Sequence, residues 1–125
     1  MIEPPEMGAP KPLNSEYLPQ REDGSLSRGD VFIDHSELRI MESYPIQVVL
    51  VLQGALPTSC NQLRVIAKQP DEQNQIMVEA YSVIDPEQIC IQVLESLDVN
   101  VGLGSFQTGH YSVWLNGKMI GEFDA

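Results

Sequence analysis

The amino-acid sequence predicts an all-β domain, a seven-stranded antiparallel sandwich behind a disordered N-terminal segment. Three observations predict it. Short runs of alternating apolar and polar residues recur from Gly29 onward, separated by Gly, Pro, Asn and Asp at nearly regular intervals. Asn116 and Gly117 supply the left-handed backbone of a tight turn between two such runs, so residues 109–123 read as a closing β-hairpin. A lone hairpin cannot bury its apolar face, which makes the other runs its sheet partners.

Taken in order, residues 1–29 read as a Pro-rich linker or stalk. Five of the nine prolines (Pro4, Pro5, Pro10, Pro12 and Pro19) lie there among Glu, Ser, Asn and Gly, a composition that buries too little to offset its ordering entropy. The sandwich takes residues 30–125. Residues 31–33 form a short edge strand, and strand 37–42 turns Leu38 and Ile40 inward. Strand 46–53 is the most apolar, with Ile46, Val48, Leu50 and Leu52 on one face and Val49 and Val51 on the other, as a central strand requires.

After the loop 54–62, strand 63–68 faces Leu63, Val65 and Ala67 inward and Arg64 and Lys68 outward. A polar turn leads to strand 75–83, with Ile76, Val78 and Ala80 inward and Glu79 and Tyr81 outward. In the next stretch the odd-numbered apolar series Ile89, Ile91, Val93, Leu97, Val99, Val101 is interrupted by Glu95. A bulge near residues 94–96 restores the alternation, and the strand is set at 97–101. Residues 102–109 are a glycine-rich loop. Seven strands is the count of an immunoglobulin-like sandwich.

The hairpin register decides which side chains face out. A two-residue loop pairs Trp114 with Met119 and Leu115 with Lys118, mixing polar and apolar residues on both faces. A three-residue loop over 115–117 separates them better and is the register adopted. Tyr111, Val113, Met119 and Phe123 then face inward, with Gly121 opposite Tyr111, and Trp114 stands outward beside Lys118 and Ile120. The inward Tyr111 is the counterpart of the tyrosine corner of sandwich domains, its hydroxyl bonded to nearby backbone.

Charge and composition exclude several functions. Eighteen acidic residues against seven basic ones give a net charge of −11, with no basic cluster, so nucleic acid and anionic lipid would be repelled. No apolar run is long enough to span a membrane as a helix. The first residues also lack the basic and apolar regions of a signal peptide, so the protein is cytoplasmic or has lost a targeting segment.

Cys60 and Cys90 bear on that choice. Successive loops of an antiparallel sandwich alternate between its two ends, so the loops holding the two cysteines fall at the same end. A Cys60–Cys90 disulfide follows, and such a bond persists in oxidising compartments, which points to export. Two unrelated thiols are the alternative. A metal site is disfavoured, because neither His35 nor His110 has ligand-like spacing to a cysteine.

The segments at residues 43–48, 54–60 and 109–117, together with Cys90, resemble immunoglobulin-like domains of exported bacterial envelope proteins and lipoproteins, over about residues 36–125. The resemblance implies an exported sandwich on a low-complexity stalk and carries no known active residues. The lipid-bearing cysteine of such proteins is not in this sequence.

No catalytic signature stands out. Ser105, Ser112 and His110 have no nucleophile elbow, and Gly102 and Gly104 have no strand-to-helix context for a phosphate loop. Asp71, Glu72, Asp98 and Asn100 do not reach the carboxylate density of a calcium loop. The sequence therefore reads as a non-catalytic, extracytoplasmic binding module without metal or cofactor, for a protein or glycan partner at the cell envelope. Trp114, with Lys118 and Ile120, is either an interface anchor or a ring covered by the lysine stem. The alternative is a protease inhibitor presenting loops at one end, Leu56 and Thr58 among them. Outward Val49, Val51 and Trp114 equally suit a homodimer face.

Overall fold

The computed structural model describes residues 17–125. The linker reading of residues 1–16 lies outside them. Eight strands form two packed sheets: β1 (Ser27–Gly29), β2 (Phe32–Met41), β3 (Ile46–Leu56), β4 (Gln62–Ala67), β5 (Gln75–Ile84), β6 (Glu95–Phe106), β7 (His110–Leu115) and β8 (Lys118–Asp124). One sheet has the order β2-β3-β6. The other centres on β5, with β4 along one edge and β1 and β7 sharing the opposite edge, β8 lying outside β7. The protein is thus an all-β, two-sheet sandwich, as its patterning predicts.

Between the sheets, Val48, Leu50, Leu52, Leu97 and Val101 meet Leu63, Val65, Ile76, Val78, Val113 and Leu115. The alternation of β3, β4 and β5 is the one expected, because a strand with one face on a core must place every second side chain there. Phe106, Tyr111 and Phe123 close one region of this core with ring centroids 5.2 Å apart. The Tyr111 hydroxyl donates to the Gln107 carbonyl at 2.9 Å, so the expected tyrosine corner is present.

Several elements differ from expectation for identifiable reasons. The separate strands at 31–33 and 37–42 are one strand, β2, with a register break between Ile33 and His35. The close approach of β2 and β3 there requires Gly54, where a Cβ would lie 1.8 Å from the Phe32 carbonyl oxygen. Strand β6 runs through the glycines to Phe106 because Gly104, at φ +109°, absorbs a bulge opposite the Val48/Val49 step. β1, within the stretch read as linker, has no apolar residue to announce it. Finally, β5 and β7 run parallel. In the immunoglobulin arrangement the strands corresponding to β4 and β7 are neighbours; here β5 lies between them.

The β7–β8 hairpin adopts the two-residue loop, pairing Leu115 with Lys118 and Trp114 with Met119. A bulge at Ile120 resolves the mixed faces that this register otherwise creates, since Val113 then pairs with Gly121 and Tyr111 with Phe123. Leu115 is buried and Met119 exposed, the reverse of the three-residue assignment. A loop including Leu115 would have taken a core leucine out of the sandwich.

The turn also completes the sheet. β1 covers Ser82–Ile84 and β7 covers Gln75–Val78, leaving Ala80 between them. The Asn116 side chain fills this gap: its Oδ1 accepts from the Ala80 N–H at 2.9 Å and its Nδ2 donates to the Ala80 carbonyl at 3.1 Å. The Asn116 N–H donates to the Val78 carbonyl at 2.9 Å. A primary amide is the one side-chain group that copies a peptide's donor and acceptor together. Asn116→Ala should lower the unfolding free energy by about 2–3 kcal/mol, and Asn116→Asp, which keeps an acceptor but has no donor, by at least about 1 kcal/mol, both measured by urea unfolding.

Candidate functional site

The site is built on the connection between β3 and β4. Leu56 ends β3 with its side chain buried, and Thr58 is only 3% exposed. The Thr58 N–H and hydroxyl both donate to Asn61 Oδ1, at 3.1 and 2.7 Å, and the Cys60 N–H donates to Thr58 Oγ1 at 3.1 Å. Asn61 Nδ2 donates to Ser82 Oγ at 3.0 Å, and that hydroxyl donates to the Asp30 carbonyl at 2.7 Å. The buried chain of hydrogen bonds ties this loop to β5 and to the connection between β1 and β2. It holds Cys60 in place.

Cys60 is joined to Cys90 by a disulfide, with Cα atoms 6.2 Å apart. The expected bond is therefore present. What it anchors is residues 85–94, the crossing from β5 to β6, which has no strand structure. Ile89 is 98% exposed, Ile91 74%, Val93 62% and Leu94 63%. Cys90 points back to the domain while its two isoleucine neighbours face solvent, the alternation of an extended chain. One tight turn interrupts the segment, closed by the Val93 N–H on the Ile91 carbonyl at 2.9 Å. Among the described residues, the N–H groups of Ile89, Cys90, Ile91 and Gln92 have no protein acceptor.

The sequence flanks of the segment are acidic. Asp85, Glu87, Glu95 and Asp98 bracket the segment, and no Lys or Arg occurs between residues 85 and 98. Sequence patterning leaves residues 88–94 in the connection before the strand at 97–101 and gives the apolar series through Ile89, Ile91 and Val93 no exposed role. The usable signal was that two isoleucines flank Cys90, so a tethered cysteine forces both outward.

The residues singled out from sequence are dispersed. Trp114 lies on the outer face of its sheet, in a row with Met77 and Met119, its Nε1 donating to Ser112 Oγ at 3.0 Å. Ile120 packs against the core instead, and it shares with Lys118, Val31 and Ile33 a separate groove beside β2. The expected Trp114, Lys118 and Ile120 cluster is not formed, because the Ile120 bulge carries it to the other face. Leu56 and Thr58 are buried and cannot be presented to a protease. Val51 is buried too, which removes it from a homodimer face. A further groove of about 660 Å³ lies over β5, where Arg28 stacks on Tyr81 at 3.9 Å and ion-pairs with Glu79.

Two charged pairs hold the periphery. Arg64, on the outer face but 3% exposed, donates from Nε and Nη2 to the two oxygens of Asp23 at 3.0 and 3.1 Å. Asp23 sits in a short 3-10 helix, Arg21–Ser25, and the guanidinium holds its carboxyl below the usual range. On the hairpin, His110 lies between Asp124 (Nδ1 to Oδ1, 2.6 Å) and Glu122 (Nε2 to Oε1, 3.0 Å), which raise its pKa. Among the described residues no group of three or more His, Cys, Asp or Glu side chains is placed to hold a metal, and no helix is long and apolar enough to cross a membrane.

Fold and site together define a disulfide-bonded β-sandwich with an exposed apolar crossing segment. Residues 50–125 match the ORF11 beta-sandwich domain, and the chain belongs to that family. No curated protein and no solved structure matches the chain.

Two outcomes follow. Replacing Cys60 and Cys90 together by Ser should cost about 3–4 kcal/mol of unfolding free energy, the chain-entropy value for a loop of 30 residues, and should speed proteolysis within residues 88–94. His110, raised above its ordinary value near 6.5, stabilises the fold fully below that pH and loses its contribution as pH rises through the higher folded value. The advantage of the wild type over His110→Gln in thermal unfolding should therefore be larger at about pH 5 than at about pH 9.

Proposed function

We propose that this chain is an extracytoplasmic, non-catalytic binding module that engages a protein partner through residues 88–94. The observation that carries the proposal is the exposure of Ile89, Ile91, Val93 and Leu94 on a segment fixed by a disulfide. Contiguous aliphatic side chains left in water lower the stability of the free protein's solution, and they are retained where a partner covers them. A glycan is the weaker choice, since the segment has no aromatic face to stack on a sugar ring. The disulfide supports an oxidising compartment, and the resemblance to exported envelope domains supports the same placement. Pre-organisation by the covalent tether reduces the ordering entropy lost on binding.

A photo-crosslinking amino acid at position 91, introduced in producing cells, should give a discrete protein adduct that the same residue at position 118 does not give. Equal adducts at both positions, or none at either, would sink the proposal. Mass spectrometry of the natively produced protein should find both thiols oxidised.

A loop-presenting protease inhibitor is the second reading, and the N–H groups of Ile89 and Ile91, free among the described residues, favour it, since an inhibitor offers its backbone to the enzyme's cleft. Leu56 and Thr58 have no part in this version. Stoichiometric inhibition of an elastase-type serine protease, abolished by Ile91→Asp, would select it. Simple cleavage of the segment would reject it.

A further inference from the structure

We infer that the partner of residues 88–94 is a different protein that receives the segment as an added strand on an exposed sheet edge, in an apolar groove rimmed by Lys or Arg. The inference rests on the binding reading above and specifies its mode and its partner's chemistry. Strand addition needs free backbone donors and acceptors together with side chains alternating between two sides. Residues 89–92 supply four N–H groups that are unpaired among the described residues, and Ile89 and Ile91 lie to one side with Cys90 tethered on the other. Gln88 and Val93 bond within the connection, on the Asp85 and Ile91 carbonyls, and the four N–H groups between them are left for a partner.

The partner's charge follows from what brackets the segment. Asp85, Glu87, Glu95 and Asp98 form its flanks with no basic residue between positions 85 and 98, and the whole chain carries −11. An acidic or neutral rim would leave these carboxylates unpaired at the contact, whereas a basic rim pairs them and speeds encounter. The same charge opposes a second copy as the occupant, since two such chains would bring eight like-charged flanking groups together.

The probes are three short peptides, one of alternating Val and Lys, one of alternating Val and Glu, and a Val/Lys peptide methylated at every backbone nitrogen. The protein should bind the first by isothermal calorimetry, more weakly as salt is raised, and should not bind the second. Backbone methylation removes every ladder donor while keeping the charge and the side chains, so the third should bind at least about tenfold more weakly. Ile89→Ser/Ile91→Ser should lose the first peptide at least about tenfold as well. Both residues are exposed, and an intact disulfide with unchanged thermal unfolding will show that this variant folds. Equal binding of the methylated peptide overturns strand addition. Binding that survives the double substitution overturns the segment's role and leaves only charge attraction. No binding of the Val/Lys peptide overturns the basic, edge-presenting partner, and so does concentration-dependent dimerisation in sedimentation that the double variant abolishes. The crosslink at position 91 is read independently, so it separates failure of this mode from failure of the binding site itself.

Discussion

The sandwich depends on how the backbone edge of β5 is satisfied. A central strand must have both edges paired, because buried N–H and C=O groups without partners cost more than most side-chain contacts return. β4 covers one edge of β5, but no single strand covers the other. β1 takes its C-terminal end, β7 its N-terminal end in parallel, and the Asn116 amide stands in for the missing peptide between them. The hairpin turn is therefore part of the sheet, and its two-residue register is imposed by that duty. A longer loop would move Asn116 away from Ala80 and Leu115 out of the core.

The end of the molecule that carries the proposed contact is rigid for a different reason. Thr58, Asn61 and Ser82 are buried polar side chains whose hydrogen bonds are made among themselves and to backbone, and a satisfied network of this kind fixes one arrangement. The disulfide then transfers that rigidity to a segment with little packing of its own. Apolar side chains that would otherwise collapse against the nearest surface are kept out in water.

Much of the fold was legible because β3, β4 and β5 alternate cleanly, and a strand on a core has no other way to arrange its side chains. The disulfide was legible for a topological reason, since both cysteines fall on connections at one end. What remained hidden depended on contacts between distant residues. The bulge at Ile120 cannot be read from a hairpin that offers two registers of nearly equal polarity. Ser27–Gly29 looks like linker until β5 leaves a place for it. Arg64 alternates outward as a surface residue should, and only Asp23, far away in sequence, explains its burial. The exposure of the apolar segment stayed hidden because an exposed isoleucine has the same signature in sequence as a buried one.

The ion pair between Arg64 and Asp23 also bears on what constitutes the domain. The family match begins at Leu50, inside β3, and by itself it omits β1, β2 and the 3-10 turn. A piece cut at that boundary would strip β3 of a neighbour along its length, open the edge of β5 at Ser82–Ile84, and take from Arg64 the carboxylate that pairs it. The stretch that carries the family's sequence signal is smaller than the two-sheet sandwich of the structure. The leading residues from about Gln20 onward belong to the sandwich as structural members, even though their composition is that of a tether.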